Sequence, residues 1–371
     1  MARAKFSTGL CMAVFLAGVH PALAQLSPSE PDPLARIRDA AKTNVQACSA
    51  TEETLCEQVA PKIIANAQGD SPEADNLHRL TDSLQSKRAA SPAEPPVIAL
   101  ALAGFRDAGV EARTEKFLVA AKDPGHAAAE IVIAEIRGRE KPEEWVLLGA
   151  NIDSARPGYT ALESATDAAL VMEAARDIHL TGVLPRRSIR FVLFGGEAQG
   201  MTGAWAYLRG HRDELDKARG ALFFDTYATH PRGFVLNGRR DMEPGVREAM
   251  DPVKSLVGEE ISLKTSDETD SMDFLLEGIP TIVATSLRAA GLGSYPSLSD
   301  PEVFIDLWQL KRNTAIAAVT AFGLAERAEP IGARQSRGEI EILLESSGLA
   351  GKLKAEGIWP LWESGKRGRE Q

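Results

Sequence analysis

The apolar positions of this chain change period several times, and each change marks an expected element. From about Leu10 to Val19 the apolar run is nearly unbroken, with Arg3 and Lys5 before it and Ala22-Leu23-Ala24 after it. Between about Ala35 and Gln85, apolar residues recur at helical spacing, as in Val59, Ile63 and Ile64 and then Leu77, Leu80 and Leu84. That period predicts two or three amphipathic helices after a flexible Ser- and Pro-rich lead over residues 26 to 35. Pro92, Pro95 and Pro96 break the pattern, and a helix is expected from Ile98 to Ala108, stopping at Gly109.

Beyond Gly109 the pattern alternates. Strands are expected at Thr114–Val119, Ala129–Ile136, Glu144–Ala150, Ser188–Phe194, Gly220–Asp225 and Thr281–Thr285. Several are continuous apolar runs, the pattern of strands buried on both faces. Helices are expected between them at Asp167–His179, Gly203–Arg212, Met242–Leu256 and Asp306–Ala325. Alternation of this kind predicts an α/β fold, a three-layer α/β/α sandwich around a mostly parallel sheet. After Pro330 one further helix is expected from about Gly338 to Leu353, followed by Trp359, Trp362 and a basic end, Lys366-Arg-Gly-Arg369. The expected organisation is a signal peptide (1–24), an N-terminal helical lead (25–90), the α/β domain (91–329) and a C-terminal helical extension (330–371). There is no internal repeat and no low-complexity tract.

The first segment has the order of a secretory signal: basic, apolar, then small-x-small with cleavage after Ala24. It is too short to span a bilayer, so the expected location is periplasmic or extracellular, with no membrane span after cleavage. Removing it takes Cys11, leaves Cys48 and Cys56, and leaves 40 basic residues against 52 acidic ones. The net charge of −12 that results disfavours nucleic acid and anionic membrane surfaces as partners. An even cysteine pair in an exported chain favours a disulfide closing a small loop, Cys48 to Cys56.

In a sheet of this type, function collects at the carboxyl ends of the strands. Four segments carry acids there: Val146-Leu-Leu-Gly-Ala-Asn-Ile-Asp-Ser154, Ala161-Leu-Glu-Ser164 leading into Val171-Met-Glu-Ala-Ala-Arg176, Phe191-Val-Leu-Phe-Gly-Gly-Glu-Ala-Gln-Gly-Met-Thr-Gly203, and Ala221-Leu-Phe-Phe-Asp225. Further on stand Thr269-Asp-Ser-Met-Asp-Phe274, Glu277-Gly-Ile-Pro280 and Ser294-Tyr-Pro-Ser-Leu-Ser-Asp300. In this order, over residues 75 to 325, they resemble metallopeptidase family twenty-eight, whose members include zinc aminopeptidases, glutaminyl cyclase, glutamate carboxypeptidase and the transferrin receptor ectodomain. The resemblance implies that Glu197 is the general base, that Asp153 is a supporting acid, and that Asp225 is a zinc ligand. It also implies five ligand positions of which four have changed. Asn151 stands where the family has a histidine, Glu163 where it has a bridging Asp, Ala198 where it has a second Glu, and Pro296 where it has its last histidine. An alternative placing Asp167 at the bridging position requires a deletion of about one helical turn before Met172, and the ungapped assignment to Glu163 is preferred.

Zinc favours nitrogen and sulfur donors alongside carboxylates, with three protein ligands and an open position at a catalytic ion. One pocket of the implied pair keeps Glu163 alone. The other keeps Asn151, Glu163 and Asp225, an all-oxygen set suited to Ca²⁺, Mg²⁺ or Mn²⁺ rather than zinc. Of the histidines left in the mature chain (His78, His126, His179, His211 and His230), only His230, five residues past Asp225, is placed to reach the site. No Gly-x-Ser-x-Gly elbow, Cys/His pair or phosphate loop is present. Two function classes stay open: a pseudo-peptidase that binds a peptide or protein ligand in the old cleft, and a hydrolase working through a single or relocated metal with Glu197 as base. Labelling of the denatured, non-reduced mature protein is expected to find no free thiol; two reactive thiols would refute the Cys48–Cys56 bond.

Overall fold

A computed structural model describes residues 54–85, 95–119, 127–153, 159–196, 200–226, 229–258, 260–266, 269–286 and 305–370. The signal segment, the 26–35 lead, Cys11, Cys48, His126, Glu197, Ala198, Tyr295 and Pro296 lie outside these residues. Cys56 is buried in a π-helical turn, Thr54–Val59.

Eight strands form one sheet: β1 Ala112–Val119, β2 Ala127–Ile136, β3 Lys141–Asn151, β4 Arg187–Phe194, β5 Ala218–Asp225, β6 Pro231–Val235, β7 Glu260–Ser262 and β8 Thr281–Ser286. Their spatial order is β1-β2-β4-β3-β5-β8-β6-β7. The central run β4-β3-β5-β8 is parallel throughout, while β1, β2 and β6 pair antiparallel toward the two sides.

The continuous apolar runs are explained by parity. Side chains alternate faces along a strand. Val146, Leu148 and Ala150 of β3, with Ile189, Phe191 and Leu193 of β4, enter one core cluster, while Trp145, Leu147, Val192 and Phe194 enter the other. Both faces are covered by helices, so both parities must be apolar. The first cluster is roofed by α1 (Ala60–Gln68), α2 (Glu73–Gln85), α3 (Pro95–Asp107), α4 (Tyr159–His179), α6 (Glu243–Met250) and α8 (Leu307–Glu326). The second is covered by α5 (Thr202–Gly210) and α7 (Ser271–Leu276). The three-layer expectation holds, and the six expected strands stand, each extended by one to three residues at one end or both.

The differences have local causes. Strands β6 and β7 were not expected: β6 opens with Pro231 and contains Gly233, and β7 is three partly exposed residues. Helix α7 is six residues long and buried on every side, so it carries no amphipathic period. The helix expected from Asp167 begins at Tyr159, and that expected over Met242–Leu256 is a short helix, α6, between two 3₁₀ turns at 240–242 and 251–253. The single C-terminal helix is in fact α9 (Arg337–Ser346) and α10 (Leu349–Ala355), separated at Gly348, whose φ of 79° no continuing helix tolerates, and then α11 (Trp359–Glu363). These three pack on α7 through Ile340, Leu344, Leu353, Trp359 and Trp362.

Between α2, α4 and α8 the first layer encloses three carboxyls: Glu73, Glu173 and Asp177, each 1% exposed or less. The charged and polar groups facing them are Ser71 ahead of α2, Arg176 on α4, and Lys311 and Thr314 on α8. Arg176 pairs with Glu173 at 2.8 Å, and the Thr314 hydroxyl donates to Glu73. Burial, with Glu173 nearby, pushes the Glu73 carboxyl up to about 8; burial also raises Glu173 and Asp177. The folded state therefore keeps protons that the unfolded chain releases near the usual carboxylate value of 4.5. Stability is full below that pH and falls as pH rises toward about 8. The expected outcome is a melting temperature that declines from pH 5 to pH 8.5, with a shallower decline in Glu73→Gln, whose amide oxygen still accepts from Thr314. An identical slope in the variant would show that Glu73 ionises freely.

Candidate functional site

The four parallel strands end at one edge, and their termini carry the residues singled out by sequence. Asn151 is the last residue of β3 and pairs in register with Phe194, the last of β4. Gly149 pairs with Phe223, so Asn151 and Asp225, two residues further on in each strand, end neighbouring strands at the same level. Asp225 in turn pairs with Thr285 of β8. Glu163 lies in the second turn of α4, the helix that follows β3. The backbone thus brings Asn151, Glu163, Asp225 and the turn after β4 to one edge; for Glu163 and Asp225 only the backbone is described.

Asn151 is committed to its own chain. Its Nδ2 donates to the Ser164 hydroxyl oxygen at 3.0 Å and to the Asp153 carbonyl at 3.3 Å, and the Ser164 hydroxyl donates to that same carbonyl at 2.7 Å. This triangle ties the strand end to α4. Asp153 is buried, as is Asp270 just before α7. Burial, with Asp153 and Asp273 close by, holds Asp270 well above the usual carboxylate range.

The connection from β4 to α5 is described on both sides of residues 197–199. Gly196 has φ 84°, Gly200 φ 91° and Met201 φ 59°. A methionine in the left-handed region is uncommon and strained. The Thr202 amide and hydroxyl both donate to the Gly196 carbonyl, at 3.0 and 3.1 Å, closing the turn. A Cβ on Gly203 would meet the Gly195 carbonyl, so α5 starts with its backbone against the strand end. Beneath the turn, Phe194, Tyr207, Phe223 and Phe274 pack edge-to-face or stacked, with centroids 5.2 to 6.3 Å apart.

On the other side, Asn313 of α8 donates to Thr226 Oγ1 at 3.1 Å and to the Thr229 carbonyl at 2.9 Å, anchoring the segment after Asp225. His230 is exposed just beyond, its pKa lowered by partial desolvation and by Arg312. His211 is bound to Glu115 and Glu214, and His78 and His179 are exposed on α2 and α4. Leu307 and Trp308, at the start of α8, are exposed, Trp308 by 61%.

Sequence reasoning did not find Ser164 or Asn313 as parts of this site. Ser164 stands in a quoted motif and its hydroxyl is a signal that was available; the role of Asn313 depends on a contact 87 residues away in sequence.

A helix-covered parallel sheet with acids at its carboxyl edge is the zinc-aminopeptidase-like α/β/α sandwich. Residues 132–316 match the family model of Peptidase family M28, and through that segment, which contains all four central strands, the chain belongs to peptidase family M28. Carboxypeptidase Q of Pongo abelii is 26% identical over 197 residues, 53% of this chain and 42% of that protein. The chain thus matches less than half the length of that relative. A peptidase M28 precursor from Shewanella amazonensis superposes with TM-score 0.58 at 14% identity, over 82% of this chain and 100% of the other. A zinc aminopeptidase from Bacillus subtilis superposes with TM-score 0.53 at 12% identity, over 71% and 94%. No described helix is long and apolar enough to cross a membrane.

Ser164→Ala is expected to cost roughly 1–3 kcal/mol, because it removes two hydrogen bonds at once, one to the Asn151 amide and one to the Asp153 carbonyl. Chemical denaturation checks this; a change under about 0.5 kcal/mol, the range of ordinary surface substitutions, would mean that solvent satisfies both groups.

Proposed function

We propose that this chain is an exported family M28 protein that does not run dinuclear zinc hydrolysis and instead binds a peptide or protein ligand in the cleft at the carboxyl edge. The observation that carries the reading is Asn151. An amide stands at the implied histidine position, and its nitrogen is occupied by Asp153 and Ser164. An imidazole nitrogen offers a lone pair to zinc, whereas an amide nitrogen is a donor only.

The rest of the donor set agrees. Ala198 and Pro296 carry no side-chain ligand, so Asn151, Glu163 and Asp225 remain, all oxygen donors. That set does not suit zinc, which favours histidine or cysteine beside carboxylate. It leaves room for one weakly held hard cation. Without a metal-bound water to deprotonate, Glu197 loses most of its value as a base. Leu307 and Trp308, exposed at the start of α8, the helix whose Asn313 holds the segment after Asp225, suit an apolar residue of a bound peptide, since aromatic side chains are frequent anchors at interfaces. Export rests on the signal-like residues 1–24 and on the Cys48–Cys56 pair, both outside or partly outside the described residues.

Purified mature protein equilibrated with micromolar zinc is expected to hold less than one equivalent by elemental analysis, and to cleave aminoacyl and peptide substrates at background rates. Loss of outer-shell partners alone costs about 10- to 100-fold in metal affinity or activity, and four altered ligand positions exceed that. The quadruple variant Asn151→His, Glu163→Asp, Ala198→Glu, Pro296→His is expected to gain two zinc ions. Stoichiometric zinc in the unmodified protein, with a turnover abolished by Glu197→Gln, would overturn the reading in favour of a working hydrolase. One equivalent of Mg²⁺ or Ca²⁺ with no turnover would be compatible with it.

A further inference from the structure

The basic end of the chain, Lys366-Arg-Gly-Arg369, closes the C-terminal extension. In the structure Arg367 is 4% exposed. Its Nε and one Nη donate to the two carboxylate oxygens of Asp273 at 2.7 Å each, and the same Nη donates to the Gly200 carbonyl at 2.9 Å. The guanidinium also lies 5.2 Å from the ring centre of Trp205 on α5, whose indole nitrogen donates to the Lys366 carbonyl at 3.2 Å. One residue on, Gly368 has φ 87° and sits so close to the Trp362 ring and the Leu276 carbonyl that no side chain fits; the Arg369 amide then donates to Leu276 at 2.9 Å. The last residues are stitched to α5 and α7, the two helices of the lower layer.

We propose that the C-terminal extension is an internal strap and that Arg367 is a positioning residue for the left-handed pair Gly200-Met201 at the entry to α5. Gly200 is the first described residue after Glu197-Ala198-Gln199, and it opens the left-handed pair Gly200-Met201. Such backbone persists only where its surroundings over-determine it. Thr202 fixes the turn from the Gly196 side, Arg367 holds it from the Gly200 side, and Met201 packs against the cluster formed by α7 and the extension. Through Asp273 the same guanidinium holds α7, which begins next to Asp270 and so beside Asp153. One cation therefore fixes two walls of the cleft.

A fork is needed for this task. A guanidinium presents several donors in one plane and can serve a carboxylate and a carbonyl at once, whereas an ammonium is a point charge on a flexible stem. The extension lies outside residues 132–316, the segment that matches the family model. The inference stands apart from the metal question, because the strap would hold a hydrolytic or a binding cleft alike.

Hydrogen–deuterium exchange on the full mature protein tests it, comparing wild type with Arg367→Lys and Arg367→Met. Peptides covering 195–204 are expected to exchange at least ten-fold faster in both variants, while those covering β3 and β4 keep their wild-type rates. Arg367→Lys is expected to recover the melting temperature without recovering protection of the turn, a split that a purely structural ion pair does not produce. If Arg367→Met does not fold, the lysine variant alone decides. Faster exchange confined to residues 337–370, or spread evenly over the whole sheet, would overturn the proposal, as would full restoration of the turn by lysine.

Discussion

Burial of the central strands on both faces is the constraint on which the rest depends. Because helices cover β4, β3, β5 and β8 above and below, neither face is free to carry polar chemistry. Only the ends of the strands are left for it. With four neighbouring strands parallel, those ends fall on one edge, and Asn151, Asp225 and the turn after Phe194 arrive there together as a consequence of sheet topology. The same constraint explains why the strand sequences are apolar runs that stop abruptly at an acid, an amide or a glycine pair.

The loops at that edge are held by polar contacts from distant elements. Ser164 on α4 braces Asn151, Asn313 on α8 braces the segment after Asp225, and Arg367 braces the turn before α5. Each bond is directed at a backbone carbonyl or at a polar side chain of the edge. The buried acids follow the same logic in reverse. Glu73, Glu173 and Asp177 lie in the first layer with too few cations to balance them, so protons supply the missing charge.

The fold was largely legible in the sequence because a doubly buried strand leaves a strong signal: β3, β4 and β5 were each recognisable from their own residues. Elements without such a signal were not. Strand β7 is three half-covered residues whose pairing with β6 comes from topology, and α7 is buried all round, so neither has a period to detect. The meeting of Asn151 and Asp225 at one edge was legible, because each ends a strand recognisable from its own residues. The site was illegible where a role is created by a distant contact. Nothing local to Arg367 shows that it is buried against Asp273, 94 residues earlier. The split between α9 and α10 lies between these cases: Gly348 was visible, but a lone glycine near a helix end does not reveal that it takes the left-handed conformation.

The central claim is that an amide-and-carboxylate edge has replaced a zinc centre. Crystals of the mature protein grown with excess zinc and measured at the zinc absorption edge test it most directly. The expected map has no pair of anomalous peaks between the end of β3 and the end of β5. Two fully occupied peaks there, sharing the Glu163 carboxylate, would contradict it.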